Sequence, residues 1–468
     1  MKKDEKNNKS TQFNLAQCKI DWTILIATIL VFGGFAIFCE MQECGDSFQY
    51  LNQYPMREPV YALLLQLLQF IFGEGYGLPL AIVQNLSAII CVYWTYRRVS
   101  DIFDFGNLTR FLTGCVLLSP HILTPLGSRS HLVLTCSVMT EGISISLYYV
   151  WFAMMLGILT GYYKEDKRKK AEILSLLMAL LLVLTRGQMM VGLIVWFLVT
   201  AVRALMEKRY KTIIIYLAAM AVMFPLKDQL SRWYNLAETG NYVATVSSKP
   251  MLLANVVYVA DEEDAQYIEE ENLREAFASI VASAKQDGLC YEAAPAGMLD
   301  RALYHEDCHD SLNFDYVDPA IRQVIYEADG IDEENFLVLM IREDELCGQI
   351  ASEVLPHIAG KFLKNYVCVA LLGFIRSVAI EKSILPYVAL ILYICAVGLM
   401  IYSFIKAGSL ASKPGLSMLL TLVAICGTVL GTSIMIQCIG RYMIYNLPFF
   451  YICGMALLKE ILPFKKAI

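Results

Sequence analysis

MTEGISISLYYVWFAMMLGILTGYYKEDKRKK, residues Met139–Lys170, decides what kind of protein this chain is. Its apolar part belongs to a run, Leu134–Gly161, that holds a single charge, Glu141, near its first end. KEDKRKK, Lys164–Lys170, follows the other end. About twenty near-uncharged residues is the length needed to cross roughly 30 Å of hydrocarbon. A strongly basic short loop at one end marks the cytoplasmic side, because translocating lysine and arginine is disfavoured.

Outward from this stretch the pattern repeats. Further apolar runs are Trp22–Cys39, Leu78–Tyr96, Leu108–Leu126, Ala171–Thr185, Met189–Val202, Thr212–Leu226, Ile384–Ile405, Leu416–Ile436 and Tyr442–Leu458, which makes ten spans. The 468 residues are 57% hydrophobic and only 18% charged, which excludes an ordinary soluble domain. The expected fold is an all-α polytopic membrane protein with about ten transmembrane helices. Met1–Ile20 is polar and lysine-rich, and no small-residue cleavage site precedes Glu40, so the first run reads as an uncleaved anchor. Pro59–Phe72 and Tyr366–Ile380 are apolar but short, which suggests interfacial or re-entrant helices.

Loop charge then orients the chain. With Pro59–Phe72 kept out of the count, the basic clusters Lys2–Lys9, Arg97–Arg98, Lys164–Lys170, Arg203–Lys211, Lys406–Lys413 and Lys465–Lys466 all fall on one side. Both termini are therefore expected in the cytoplasm of a cell (plasma or inner) membrane. Three regions follow: an N-terminal membrane part, 1–226, with seven spans and a first outer loop at 40–77; an acidic extracytoplasmic insert, 227–383, ending in an interfacial helix; and a C-terminal membrane part, 384–468. Lys227–Glu353 holds 27 acidic against 8 basic residues. Its helical patterning suggests a mainly helical domain. Nothing in the charge distribution points to a nucleic-acid partner.

Most of the 14 cysteines lie in apolar runs, where cysteine acts as a small hydrophobe. Cys290 and Cys308 could pair on an oxidising side. No metal ligand set is assigned: His305, Cys308 and His309 are close in sequence but read more simply as a surface loop.

Ionisable residues at the outer ends of spans are the informative ones, because charge placed in the membrane is costly and marks function. Asp46 reads as a general base at the interface or as a hydrated loop acid. Glu141 points into a polar cavity or sits at a helix N-terminus. Arg186, in LLVLTRGQMMVGL, marks an outer turn. Arg441, in GRYMIYNLPFF beside Tyr442, suits a phosphate through paired donors or anchors the interface. Arg129 and His131 carry a weaker version of the same signal, and Arg57 opens the short helix after Asp46. Two acids and several arginines on one face are what glycosyl transfer from a lipid-linked phosphosugar needs.

A basic tail, one span, an outer loop with an acid (GDSFQY) and then REPVYALLLQLLQFIFG, MTEGISISL, TRGQ and GRYMIYNLPFF resemble the GT-C superfamily of polyprenyl-phosphate-sugar-dependent glycosyltransferases, of bacterial type. The resemblance implies Asp46 as catalytic base. It implies Glu141, Arg186 and Arg441, with Arg57 and Tyr442 from the same motifs, as substrate-binding residues; Arg129 and His131 join this set from loop charge alone. It further implies an inverting transfer from a polyprenyl-phosphate-linked sugar to a lipid- or glycan-linked acceptor of the cell envelope, among membrane lipids. The sequence assigns no cofactor, and a divalent metal near Asp46 stays an open alternative. Asp46 is single rather than the Asp-Glu pair of protein O-mannosyltransferases, with Glu43 the nearest other acid. The insert carries no signature of the family. Other readings are an O-antigen-type polymerase or ligase, which the insert's acidity disfavours, and a lipid-linked sugar flippase or transporter, for which repeated halves are wanting.

Overall fold

The computed structural model describes residues 2–127, 132–379, 385–409 and 411–461. They form eighteen α-helices joined by short turns: α1 (Lys2–Phe38), α2 (Ser47–Leu51), α3 (Pro59–Phe72), α4 (Gly77–Ile102), α5 (Asn107–Gly127), α6 (Glu141–Leu159), α7 (Glu165–Thr185), α8 (Met190–Met206), α9 (Tyr210–Thr239), α10 (Ser248–Val259), α11 (Glu271–Gln286), α12 (Met298–Ser311), α13 (Asp318–Asp329), α14 (Phe336–Arg376), α15 (Leu385–Ala407), α16 (Lys413–Met435), α17 (Gly440–Met443) and α18 (Leu447–Ile461). No strand occurs among the described residues; one isolated bridge joins Gln42 to Ser137.

Eight helical segments are long and apolar enough to cross a membrane. The protein is an all-α multi-pass membrane protein. Seven of the eight contain expected spans. The expected spans in α5, α7 and α18 form helices but fall short of that standard. Pro120, His121 and Pro125 lower the hydropathy of α5 without breaking it, charged residues fill the first two turns of α7, and α18 has only 15 residues. The eighth segment, Glu333–Arg376, corrects one expectation. The stretch from Tyr366, expected as a separate interfacial helix, is the last part of the 41-residue α14. Lys361 and Lys364 break the apolar run by composition, but lysine is a good helix former and does not break the helix. At 1.5 Å per residue α14 is roughly 60 Å long, about twice the hydrocarbon thickness, so it serves both the bundle and the insert.

The membrane core centres on α6. This helix is apolar all round, and 83% of it is buried, as a helix at the middle of a bundle must be. Tyr148 and Phe152 pack against Tyr445 and Phe449, and Trp151 packs against Tyr148 and Phe152. Ser144 and Tyr445 share a hydrogen bond at 2.7 Å, and the Tyr148 hydroxyl donates to Asn446. Each such interhelical bond contributes about 0.6 kcal/mol in a membrane bundle. Together they fix the segment that follows Arg441.

A second core belongs to the insert. Leu253 and Val257 of α10, Phe277 and Ile280 of α11, Ile321 and Ile325 of α13, and Ile350 and Val354 of α14 are buried together. Two long helices connect this core to the bundle. α9 runs unbroken past 226 to Thr239 and ends at Gly240, whose φ of +75° closes the helix in a conformation that favours glycine. Cys290 and Cys308 are both buried and unbonded, and the described cysteines form no disulfide.

Candidate active site

The site is built where three loops are fastened together. After α1, the Gln42 N–H donates to Cys136 O at 2.8 Å and Gln42 O accepts from Val138 N at 2.9 Å. Ser47 Oγ accepts from Cys44 N (2.7 Å) and donates to Val138 O (2.9 Å). These bonds lock the loop after α1 to the strand-like segment that enters α6. They thereby bring Asp46, just before α2, beside Glu141, the first residue of α6. The Asp46 side chain makes no capping bond and is left for other partners.

Behind Glu141 the packing is too tight for a larger residue. Gln84 of α4 donates to Ser137 O at 3.1 Å, and a Cβ at Gly142 would collide with the Gln84 amide. Tyr61 of α3 donates to the same amide at 3.2 Å. α3, α4 and the entry to α6 thus share one buried polar contact.

On this frame lies an alternating chain of guanidinium and carboxylate groups. Arg57 Nη2 meets Asp46 Oδ1 at 3.1 Å, and Arg441 Nη2 meets Asp46 Oδ2 at 2.9 Å. Arg441 Nε lies 3.6 Å from Glu141 Oε1, and Arg186 Nη1 lies 2.6 Å from Glu141 Oε2. Arg186 caps the C-terminal end of α7 in an extended conformation, which turns its side chain back into the site. Neutral groups orient the cations. Arg57 donates to Gln49 (2.6 Å) and lies over the Tyr50 ring; Arg186 donates to Gln188 (2.8 Å) and Thr140 (3.1 Å). The Tyr442 ring faces Arg186 at 4.6 Å and Arg441 at 5.2 Å.

Burial grades along the chain. The Glu141 side chain is 3% exposed and Asp46 32%. Glu141 is the floor, and Asp46 is the group an entering molecule meets. Burial pushes the Tyr50 phenol up, so it stays neutral beside Arg57. Three guanidiniums contact two carboxylates in this cluster, and the Asp310 carboxylate acts on Arg441 from outside it. A second buried cluster next to the site balances itself: Glu58 binds Lys227 at 2.6 Å and Ser231 at 2.9 Å, and its carboxylate faces Gly187.

Of the residues singled out from sequence, Asp46, Glu141, Arg186, Arg441, Arg57 and Tyr442 come together here. Arg129 and His131 lie outside the described residues. Arg376, the one arginine of the apolar stretch that starts at Tyr366, is held away from this cluster by Glu306 at 2.6 Å. Sequence reasoning missed Gln49, Tyr50, Thr140 and Gln188, because neutral side chains near a span end carry no cost that marks them. Among the described residues no group of three or more His, Cys, Asp or Glu is placed to hold a metal ion. Asp46 and Glu141 are matched to guanidiniums instead.

No protein-family model matches the sequence, and no curated protein matches it. Among solved structures, the chain is similar to the crystal structure of the Archaeoglobus fulgidus oligosaccharyltransferase in the apo form. That alignment has a TM-score of 0.38 and 10% identity, and covers 94% of this chain and 50% of that one. It is also similar to the archaeal oligosaccharyltransferase AglB from Archaeoglobus fulgidus in complex with an inhibitory peptide and a dolichol-phosphate, with a TM-score of 0.37, 10% identity and the same coverage. The chain spans about half the length of the two structures.

Proposed function

We propose that this protein is a GT-C-type glycosyltransferase that moves a sugar from a polyprenyl-phosphate donor to an acceptor hydroxyl at the outer face of the membrane. The observation that carries the reading is Asp46, the more exposed acid of the site, held between Arg57 and Arg441. Its carboxylate supplies a base, and the clustered guanidiniums suit a phosphodiester through paired donors.

In the mechanism, the donor phosphate is bound by Arg441 and Arg186. Arg441 then turns from Asp46 toward the phosphate. Asp46 Oδ2 is thereby freed to accept a proton. The acceptor O–H gives its proton to Asp46 as its oxygen bonds to the anomeric carbon. The bond from that carbon to the phosphate oxygen breaks on the opposite face, and its electron pair leaves on the polyprenyl phosphate. Configuration inverts. The leaving group is already a stable anion, so it needs a cation rather than an acid. Glu141 fixes Arg186 and Arg441 in place. The acceptor is lipid- or glycan-linked, the termini are cytoplasmic, and the insert 227–383 lies on the outer side with the site.

The test is transfer of labelled sugar from a polyprenyl-phosphate donor by purified protein in nanodiscs. Asp46→Asn abolishes transfer while yield and thermal stability hold. Transfer at near wild-type rate by that variant would refute the assignment.

A further inference from the structure

We infer that the insert sets the position of Arg441, with Glu306, Asp310 and Arg376 as positioning residues for the proposed donor-phosphate grip. The inference rests on the reading of Arg441 given above. α16 ends at Met435, and Ile436 is extended, so the next residues have left the helix and need partners from elsewhere. Those partners come from the insert and from α14. Asn255 of α10 donates to Ile434 O at 3.1 Å, and its own side-chain oxygen meets His305 at 2.7 Å. Gln437 donates to Asp310 at 2.9 Å. Arg376 donates to Cys438 O at 2.9 Å while paired to Glu306.

Glu306 and Asp310 are four residues apart on α12, so one helix face grips two successive residues of this segment. α14 closes on it from another side, since a Cβ at Gly373 would press on the Cys438 sulfur. Arg441 follows three residues later. Between them, Ile439 N bonds Gln437 O and Tyr442 N bonds Ile439 O, a compact turn that transmits any shift of residues 437 and 438. The insert core is thereby fastened to the cation that contacts Asp46. Its fastening residues touch neither the reacting atoms nor Asp46.

The experiment compares Glu306→Gln, Asp310→Ala and the exchange Glu306→Arg with Arg376→Glu, using exposed Asp307→Asn as control. Positioning predicts a donor KM raised about tenfold in the two single variants with kcat little changed, as expected when a group is misplaced rather than removed. It predicts faster amide exchange across residues 437–443, partial recovery of both in the exchanged pair, and no effect of Asp307→Asn. Full recovery in Asp310→Glu separates positioning from misfolding. Unchanged donor KM and unchanged exchange in both single variants, alongside a raised KM in Arg441→Ala, would overturn the inference. If the wild-type protein transfers no sugar, the functional reading fails, and amide exchange alone decides whether the insert holds this segment.

Discussion

Arg441→Ala is the most informative single change. In the structure Arg441 contacts Asp46 at 2.9 Å, Glu141 at 3.6 Å and the Met139 sulfur at 3.1 Å. Its removal leaves neither acid unpaired: Asp46 keeps Arg57 at 3.1 Å, and Glu141 keeps Arg186 at 2.6 Å. The variant is therefore expected to fold. What it loses is a charge-assisted bond to the donor phosphate, worth about 1.5–3 kcal/mol, which is roughly a 10- to 150-fold rise in donor KM. Arg441→Lys restores part of this. It keeps the charge, but its single nitrogen cannot serve Asp46 and Glu141 at once. The assay is initial-rate transfer in nanodiscs over a range of donor concentrations, beside a thermal unfolding curve for each variant. A donor KM unchanged in Arg441→Ala while unfolding temperature falls would make Arg441 an interfacial anchor, and the proposed phosphate grip would be wrong.

Glu141→Gln should unfold more easily, since it removes one partner of a buried pair; such changes cost about 3–5 kcal/mol, and an unfolding curve that overlays the wild type would count against a structural ion pair here. Gly142→Ala should destabilise by about 1–3 kcal/mol through overpacking against Gln84, and Gln84→Ala in the same chain should relieve it; equal stability of Gly142→Ala and wild type would contradict the packing. For orientation, a thiol at exposed Phe48 should react with an impermeant maleimide on intact cells, and one at exposed Lys169 only after permeabilisation, each in a background lacking other accessible thiols; the opposite result would invert the proposed topology.

The residues that could be read in advance are those whose placement costs free energy. A charge at a span end needs a reason, so Asp46, Glu141, Arg186 and Arg441 stood out against apolar neighbours and proved to share one site. Which acid would meet which arginine was not legible. That depends on the bridge between Gln42 and Ser137, two residues nearly a hundred positions apart, with no pattern in either segment to announce it. The long α14 was misread for a related reason. Composition marks where a run stops being apolar, whereas a helix stops only when a residue or a cap breaks its hydrogen-bond ladder. Lys361 and Lys364 do neither.

The alternating charges also bear on the order of events in the proposed reaction. Both Asp46 oxygens are taken up by guanidiniums here, so neither is open to an incoming hydroxyl. The two partners are tethered differently. Arg57 donates to Gln49 at 2.6 Å and lies over the Tyr50 ring; the neutral contacts of Arg441 are longer, the Met139 sulfur at 3.1 Å and the Tyr442 hydroxyl at 3.3 Å, and its side chain bridges both acids. An entering phosphate therefore competes for Arg441 rather than for Arg57. Donor arrival then frees an oxygen of Asp46, and an acceptor hydroxyl that enters first finds both oxygens occupied. Fastening Arg441 to the insert through residues 434–438 limits how far it turns, enough to exchange Asp46 for a phosphate beside it without leaving Glu141 exposed to solvent.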